Sequence, residues 1–338
     1  MSATGQAAVT PQRIMQYAWG YAAPLALAAA VEHRIFDLLE EGPKTAREIA
    51  RAAAVSVRGA GSLMNLLTGL GLLTKDAGDR YALAGDAATF LVSTKPGYLG
   101  GPLHHVVTEL IPRWLNLADI VRTGKPSSGV NQEKTGSQFF HGFVESIFPL
   151  SYPAAQRLAQ VLEVGAATTP LSVLDLAAGS GVWSIALAQA SPLVNATAVD
   201  WPGVLDVTRR ITDRFGLTSR YTFVAGDLHD ADFGTGHQIA TLGHILHSEG
   251  EVRSRELLAK TYAALAPGGT IAIQEFLVDD RRATDVGGLI FGMNMLVNTE
   301  AGDTFSFNEI AAWLADAGFS DARTVESPGP SPLILARR

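Results

Sequence analysis

The pattern of apolar and polar residues changes character near the middle of the chain. From residue 171 onward, short apolar runs rich in Val, Ile and Leu alternate with longer helical segments. Short apolar runs are typical of buried strands, and parallel strands need crossover helices between them. The pattern therefore predicts an α/β, Rossmann-like domain with helices on both faces of a parallel sheet. The predicted strands are 171–176, 196–200, 221–225, 238–245 and 270–275.

The first part of the chain has a helical pattern instead. Helices are predicted over 16–39, 45–50 and 56–71, followed by a short hairpin that turns at Gly78 and Asp79. Thr45 with Glu48 three residues later is typical of a capping box, in which each side chain satisfies a backbone N–H. Three helices with a two-stranded wing predict a winged-helix arrangement.

Charge argues against the usual DNA partner of a winged helix. The chain has 26 Lys and Arg against 33 Asp and Glu, a formal net charge of −7, and these charges are spread along it. The predicted recognition helix carries one cation, Arg58, which is too few for the usual phosphate contacts. We therefore expect no nucleic-acid partner. The helix predicted over 16–39 is apolar around most of its circumference, which indicates a dimer interface.

Other compositional features bear on the cellular location. The chain has no cysteine, which fits a reducing compartment. The uncharged run 176–199 is long enough to span a bilayer, but its glycine and proline residues predict a strand, a turn and a helix instead. Residues 16–31 loosely resemble a signal peptide, although aromatic residues and a proline interrupt the run. We expect a cytoplasmic protein with no membrane partner.

Carboxylates and a glycine turn follow the predicted strands. Asp175 ends the first strand and leads into a turn with Gly179 and Gly181, Asp200 ends the second strand, and Asp227 follows the third. The carboxyl ends of parallel strands meet at one sheet edge, where ligands bind. Carboxylates repel a phosphate-bearing ligand and attract a cationic nucleoside. The pattern therefore predicts S-adenosylmethionine, which carries a sulfonium and an ammonium group, as the cofactor.

With these motifs the chain resembles the plant caffeate and hydroxyindole O-methyltransferase family, which has bacterial small-molecule members. The resemblance covers nearly the whole chain and is most specific at 173–181, 226–228, 245–247 and 263–269. It implies a class I methyltransferase domain at 98–338, with a seven-stranded, mostly parallel sheet. It also implies a winged-helix dimerisation domain at 1–97 that forms a homodimer. Residues 98–165 would be a helical bridge that lines the acceptor pocket.

The resemblance assigns roles to several predicted site residues. Asp200 would hold the cofactor ribose, with Trp201 beside it, and the turn 175–181 would hold the methionine part. Asp227 and Leu228 would meet the adenine edge. The products would be S-adenosylhomocysteine and a methylated small acceptor.

The resemblance places His247 on the family's general base and Glu275 on the carboxylate that flanks it. Residue spacing agrees, since we expect His247 to end the fourth strand and Glu275 the fifth, with one helix over 252–265 between them. Both side chains should then emerge at the same sheet edge as the glycine turn. A neutral imidazole can take a hydroxyl proton while the carboxylate orients the ring and stabilises the cation that forms.

Four positions depart from the family pattern. Ser248 and Glu249 follow the histidine where the family has Asp and Trp. Ala177 replaces a glycine in the turn. Thr304, with Asp303 beside it, stands where a second carboxylate would flank the histidine.

The acceptor is expected to contact aromatic and amide side chains. Buried amides must find hydrogen-bond partners, so the asparagines of the helix near residue 295 are the clearest indication. The candidates are Phe140, Phe143, His244, Phe291, Asn294 and Asn298.

Two alternatives to metal-free O-methylation remain open. In one, His247, Glu275 and His244 hold zinc or iron, which acidifies a carbon next to a carbonyl for C-methylation. A strand through residue 245 would point His244 away from His247 and leave too few ligands, so we favour the base without a metal. In the other, the protein is a winged-helix regulator that binds a nucleoside ligand without catalysis.

Overall fold

The structure, a computed structural model, describes residues 9–130, 133–329 and 331–338. It divides into two compact units between Leu110 and Ile111. The domain boundary predicted between residues 97 and 98 stays a prediction. The two units are described separately below.

The first unit is mainly helical, as predicted. Its helices pack around buried side chains that include Phe36, Met64 and Leu67. A three-stranded antiparallel sheet completes it, in the order β1-β3-β2. The strands are β1 Lys44–Thr45, β2 Leu73–Lys75 and β3 Arg80–Leu83. The helices are α1 Gln12–Ala18, α2 Ala22–Glu32, α3 Ile35–Glu40, α4 Ala46–Ala52, α5 Val57–Gly69, α6 Gly85–Phe90 and α7 Gly100–His105, with a π-helix at Val106–Leu110.

The start of this unit corrects one prediction and confirms another. The single helix predicted over 16–39 is wrong, because a turn after α1 and a left-handed backbone at Arg34 (φ 55°) divide it into α1, α2 and α3. The capping box is confirmed: the Thr45 side chain accepts the Glu48 backbone N–H, and the Glu48 carboxylate accepts that of Thr45.

Helix α1 and the turn after it expose large apolar side chains. Ile14, Tyr17 and Trp19 are 69%, 77% and 63% exposed. The stretch Gln12–Glu32 is long and apolar enough to cross a membrane by length and composition alone. An exposed apolar surface of this kind is typical of a site of association.

The second unit contains the predicted sheet. Its seven strands lie in the order β11-β12-β8-β7-β4-β5-β6. Strands β4 to β8 are parallel to their neighbours, while β12 is antiparallel to β8 and β11 to β12. The mostly parallel seven-stranded sheet is confirmed. The strands are β4 Leu171–Leu176, β5 Val194–Asp200, β6 Tyr221–Ala225, β7 His237–Gly243, β8 Leu265–Gln274, β11 Ser320–Val325 and β12 Leu333–Arg337; a separate parallel pair is β9 Leu277–Val278 with β10 Phe305–Ser306.

Helices precede and cover this sheet. Central strands such as β4 are buried at successive positions, because a parallel sheet is covered on both faces. Helices precede the sheet over residues 111–161, and the predicted bridge at 98–165 that lines the acceptor pocket stays a prediction. The helices are α8 Ile111–Trp114, α9 Leu117–Thr123, α10 Glu133–Ser146, α11 Phe148–Val161, α12 Val182–Ala190, α13 Pro202–Arg214, α14 Leu246–Ala264, α15 Val286–Asn298 and α16 Phe307–Asp316.

The strand register brings the predicted site residues to one edge. Leu176 of β4 pairs with Val199 of β5 on one side and with Leu242 of β7 on the other. Gly243 of β7 pairs with Gln274 of β8. The carboxyl ends of β4, β5, β7 and β8 therefore lie level, and the residues that follow them form a continuous row.

Candidate active site

The chain leaves β4 through a tight turn that requires left-handed backbone. Ala177, Gly179 and Gly181 have φ values of 50°, 56° and 74°. Glycine adopts this region without strain, whereas Ala177 carries a Cβ there at a cost of about 1–2 kcal/mol. A Cβ at Gly181 would lie 3.0 Å from Cγ2 of Thr208. Backbone conformation and the closeness of Thr208 therefore both favour glycine at position 181.

Asp175 lies beneath this turn and has no exposed surface. One carboxylate oxygen accepts hydrogen bonds from the backbone and hydroxyl of Ser184, and the other accepts one from the Thr241 hydroxyl at 2.7 Å. Burial raises the pKa of Asp175 to about 6, against the effect of these bonds. Asp175 therefore ties α12 to β7 and supports the turn, and its contact with the cofactor stays a prediction.

Asp200 faces the turn from the end of β5. Its Oδ2 accepts the Gly179 N–H at 2.8 Å, and its Oδ1 accepts the Trp201 N–H at 2.7 Å. Burial raises the pKa of Asp200 to about 7. A carboxylate has about four acceptor positions, of which these two bonds use half. Asp200 can therefore still accept a pair of hydroxyl donors.

Asp227 continues the row beyond β6. Its Oδ1 accepts the His229 N–H and a guanidinium N–H of Arg253, both at 2.9 Å. The indole N–H of Trp201 lies 3.4 Å from its Oδ2. Burial acts to raise the pKa of Asp227, but these donors outweigh burial and hold the pKa below its ordinary value. Leu228, the next residue, is buried.

The predicted aromatic residues of α10 lie on the Trp201 side of the site. The ring centroid of Phe140 is 6.1 Å from that of Trp201 and 6.2 Å from that of Phe143. A Cβ at Gly136 would lie 2.5 Å from the Trp201 ring. Helix α10 therefore packs closely on the Trp201 indole, and acceptor binding by Phe140 and Phe143 stays a prediction.

His247 is not at a strand end, contrary to the prediction. Strand β7 ends at Gly243, and His244 turns the chain out of the strand with a left-handed φ of 58°. Helix α14 then begins at Leu246, well before the predicted start at residue 252, with a non-helical Gly250 inside it. His247 therefore projects from the first turn of α14.

The predicted pairing of His247 with Glu275 is present all the same. Nδ1 of His247 lies 2.6 Å from Oε1 of Glu275, and the His247 backbone N–H donates to Oε2 at 3.2 Å. Glu275 follows β8 directly and is fully buried. The end of β8 and the start of α14 thus hold the imidazole by two contacts.

The hydrogen bond determines the tautomer of His247. Burial alone would raise the pKa of Glu275, but the imidazoles of His247 and His244 hold it well below its usual range. An ionised carboxylate only accepts hydrogen bonds, so Nδ1 of His247 carries the proton. In the neutral ring Nε2 is then free of a proton and can accept one, as a general base must.

His244 shares the same carboxylate. Its Nδ1 lies 3.7 Å from Oε1 of Glu275, and its Nε2 lies 3.0 Å from Oε1 of Gln274. The prediction that His244 points away from His247 is wrong, since the two ring centroids are 6.2 Å apart. The physical reason is the left-handed turn at His244 itself. One ligand atom from each of His244, His247 and Glu275 lies within 4.8 Å of the others.

Comparison with known proteins identifies the chain. Residues 114–320 match the O-methyltransferase domain, and residues 15–93 match the O-methyltransferase dimerisation domain. The chain belongs to the O-methyltransferase family. It is 33% identical to a 3-hydroxy-5-methyl-1-naphthoate 3-O-methyltransferase from Streptomyces sahachiroi, over 91% of this chain and 90% of the relative.

Solved structures agree. The chain superposes on an O-methyltransferase-type crystal structure from Nostoc punctiforme with a TM-score of 0.90 and 27% identity, covering 98% of this chain and 100% of that one. It shares the fold of human N-acetylserotonin methyltransferase in complex with S-adenosylmethionine, with a TM-score of 0.83 and 23% identity, covering 100% and 99%.

The cofactor of this methyltransferase is S-adenosylmethionine. The residues at the sheet edge fit it, because Asp200 keeps acceptor capacity for ribose hydroxyls and the turn beside it has glycine at two left-handed positions. When bound, it supplies an electrophilic methyl group.

The imidazole of the methyltransferase lies in an aromatic wall. The Phe291 ring of α15 packs edge-on against His247 at a centroid distance of 4.8 Å, and Phe276 lies 4.0 Å from Phe291 and 4.8 Å from His244. The sequence reasoning included Phe291 but missed Phe276. The sequence signal that could have indicated Phe276 was its position directly after Glu275, at the end of the strand.

The predicted asparagines of α15 lie along the same helix as Phe291. Asn294 accepts the indole N–H of Trp114 at 2.9 Å. Asn298 donates to the backbone oxygen and Oδ1 of Asn294 at 2.8 and 3.1 Å. Asn298 is 3% exposed, and its Oδ1 has no hydrogen-bond partner among the residues that the structure describes.

Two departures from the family pattern can now be placed. The Thr304 hydroxyl donates to the Gly288 carbonyl at 3.1 Å and is buried against α15. The Asp303 backbone N–H donates to the carbonyl of His247. Glu249 pairs with Arg253 within α14. Thr304 therefore supports α15 and adds no second carboxylate beside His247.

Proposed function

We propose that this methyltransferase transfers a methyl group to a hydroxyl of a small aromatic natural product, with His247 as the general base. The observation that carries the proposal is the 2.6 Å contact between Nδ1 of His247 and the buried Glu275 carboxylate. It orients a basic Nε2, and an imidazole backed by a carboxylate suits removal of a hydroxyl proton.

The aromatic wall supports an aromatic acceptor. Phe276 and Phe291 present ring faces and edges within reach of His247, and aromatic pairs add to the affinity for a flat ring. The relative from Streptomyces sahachiroi is named for methylation of a hydroxyl on a naphthoate. In our proposal, Asn298 Oδ1 accepts a hydrogen bond from a second polar group of the acceptor.

The carbon-acid alternative has one observation in its favour, the convergence of His244, His247 and Glu275. We favour the metal-free base because Nδ1 of His247 already uses Oε1 of Glu275, and because a charged metal would compete with that hydrogen bond. The relative's name supports a hydroxyl acceptor as well.

We also propose that the protein forms a homodimer and acts in the cytoplasm. Residues 15–93 match a dimerisation domain, and the exposed apolar side chains of α1 lie at its start. Association would remove Tyr17 and Trp19 from water, which is favourable in proportion to the apolar area buried.

A methyl-transfer screen tests the acceptor class. Purified protein is incubated with S-adenosylmethionine and each of a set of hydroxynaphthoates, other phenols and 2-oxo acids, and products are detected by mass spectrometry. We expect methylated phenols or naphthoates, with a methoxy carbon in the NMR spectrum. Methylation of 2-oxo acids alone, on carbon, would overturn the proposed acceptor.

A further inference from the structure

Helix α14 carries two cations toward the loop that follows β6, here called the adenine loop, residues 226–229. Arg253 donates to the Asp227 carboxylate at 2.9 Å. Lys260, seven residues later and therefore on the same side of the helix, donates to the carbonyls of Leu228 and His229 at 2.9 and 2.8 Å. One cation thus holds a side chain of the loop and the other holds its backbone.

The contact with Arg253 determines how the Asp227 carboxylate is presented. Oδ1 is occupied by the Arg253 guanidinium and the His229 N–H, while Oδ2 lies toward the Trp201 indole at 3.4 Å. Rotation of the carboxylate would break both strong bonds to Oδ1. Oδ2 is therefore the oxygen left to accept a donor from a ligand that lies along the row from Asp200 to Asp227.

Glu249 explains how Arg253 itself is held. The Arg253 Nε donates to the Glu249 carboxylate one turn earlier in α14. Burial acts to lower the pKa of Arg253, but the two carboxylates raise it above its ordinary value, so the side chain stays charged. Glu249 is the residue that departs from the family's tryptophan, and the structure gives it this partner.

A cavity of about 80 Å³ borders Arg253 between α14 and the adenine loop and is lined by residues that include Leu228 and Lys260. The Asp227 carboxylate itself is held by polar contacts, from the His229 N–H, the Trp201 indole and Arg253. Since Lys260 holds the loop backbone independently, removal of the Arg253 charge should free the carboxylate without unfolding the loop.

We propose that Arg253, held by Glu249, is a positioning residue for adenine recognition: it turns Oδ2 of Asp227 toward the exocyclic amino group of the cofactor. This inference rests on the proposed assignment of Asp227 to the adenine edge. It couples cofactor recognition to the helix that carries His247 at its first turn, through side chains that do not touch the reacting atoms.

Binding of S-adenosylhomocysteine and S-inosylhomocysteine, measured by calorimetry on the full-length protein, tests the proposal. The second compound has an oxo group in place of the amino group. We expect Arg253→Gln to weaken the binding of S-adenosylhomocysteine about 10-fold. The variant loses the charge-assisted hydrogen bond that orients the Asp227 carboxylate, which accepts a hydrogen bond from the amino group of the ligand. The preference for S-adenosylhomocysteine over S-inosylhomocysteine should fall by a similar factor, and Arg253→Lys should restore part of it.

Arg255→Gln is the matched control. Arg255 lies on the same helix and pairs with Glu251 and Asp316 at 3.0 and 2.7 Å, away from the adenine loop. The control loses two ion pairs, so a merely structural effect on α14 would appear in it too. We expect its affinity for both compounds and the ratio between them to equal those of the wild type.

The Asp227→Asn variant separates the two ways in which the inference can fail. If Arg253 acts through Asp227, the Asp227→Asn and Arg253→Gln double variant binds no more weakly than Asp227→Asn alone. If Asp227→Asn binds S-adenosylhomocysteine like the wild type, the assignment of the adenine edge is wrong. If Asp227→Asn weakens binding and Arg253→Gln does not, the positioning role of Arg253 is wrong.

Discussion

Asp200 is the residue whose ionisation bears most directly on cofactor binding. Burial raises its pKa to about 7, so that the carboxyl is about half protonated in the free protein near neutral pH. Ribose hydroxyls donate hydrogen bonds, and an ionised carboxylate accepts them better than a protonated one. A bound cofactor should therefore favour the ionised form and lower the pKa.

This preference predicts a pH dependence of affinity. Because the ligand selects the ionised form, affinity is full above the free-protein pKa and falls as the pH drops through it. We expect S-adenosylhomocysteine to bind about 10-fold more weakly at pH 6 than at pH 8. Calorimetry at both values checks this, and Asp200→Asn, which cannot titrate, should flatten the difference. Affinity that rises toward pH 6 would contradict the assignment.

The sequence pattern around His244 and His247 leaves open whether these histidines bind a metal ion. Their ligand atoms converge on Glu275, yet the hydrogen bond from His247 to Glu275 already accounts for the base. We expect methyl transfer to continue after dialysis against a chelator. Activity that is lost on chelation and restored by zinc or iron would show that the metal-assisted alternative is correct.

The elements of the methyltransferase unit follow the hydrophobic pattern closely where both faces are buried. Strand β4, which is buried at four successive positions, occupies the predicted residues 171–176. Such strands are predictable because burial on both faces leaves an apolar run in the sequence. The fold and the acidic row at the strand ends could thus be predicted.

The start of α14 could not be predicted, for a physical reason. His244 adopts a left-handed φ, which non-glycine residues rarely do and which no sequence signal marks. Phe276 was missed although it follows Glu275 directly, because its contact with Phe291 of α15 depends on tertiary structure. The Glu249 and Arg253 pair had a signal, since opposite charges four residues apart on a helix attract. Its contact with Asp227 depends on tertiary structure alone.

The turn after β4 gives a prediction at the level of the element. Gly181 has a φ of 74°, and a Cβ there would crowd Thr208. We expect Gly181→Ala to lower the free energy of unfolding by about 1–3 kcal/mol, by backbone strain and contact. The matched control is Gly142→Ala within α10, where a Cβ meets nothing within 4 Å and helix propensity predicts a gain of about 0.5–1 kcal/mol. Equal effects of both substitutions in chemical denaturation would contradict this account.

At the scale of the whole molecule, the two units have separate tasks. The second carries the cofactor row and the His247 site, while the first exposes aromatic side chains at its start. Residues 15–93 match a dimerisation domain, and we therefore attribute the exposed aromatic side chains to a dimer interface.

Light scattering should therefore give about twice the 35.7 kDa of one chain. We expect Trp19→Asp to shift the protein toward monomer, because a charge replaces a side chain that association removes from water. Val121→Asp, at an exposed apolar position of the second unit, is the control and should remain dimeric. A wild-type monomer at micromolar concentration would contradict the proposed assembly.

The most direct test of the central claim is the turnover of His247→Ala with an acceptor found by the screen, measured beside its affinity for S-adenosylhomocysteine. We expect turnover to fall about 10²- to 10⁴-fold, since a positioned general base is lost, while the affinity changes less than about twofold. Added imidazole should restore part of the turnover. A variant that methylates a hydroxyl at the wild-type rate would contradict the assignment of His247 as the base.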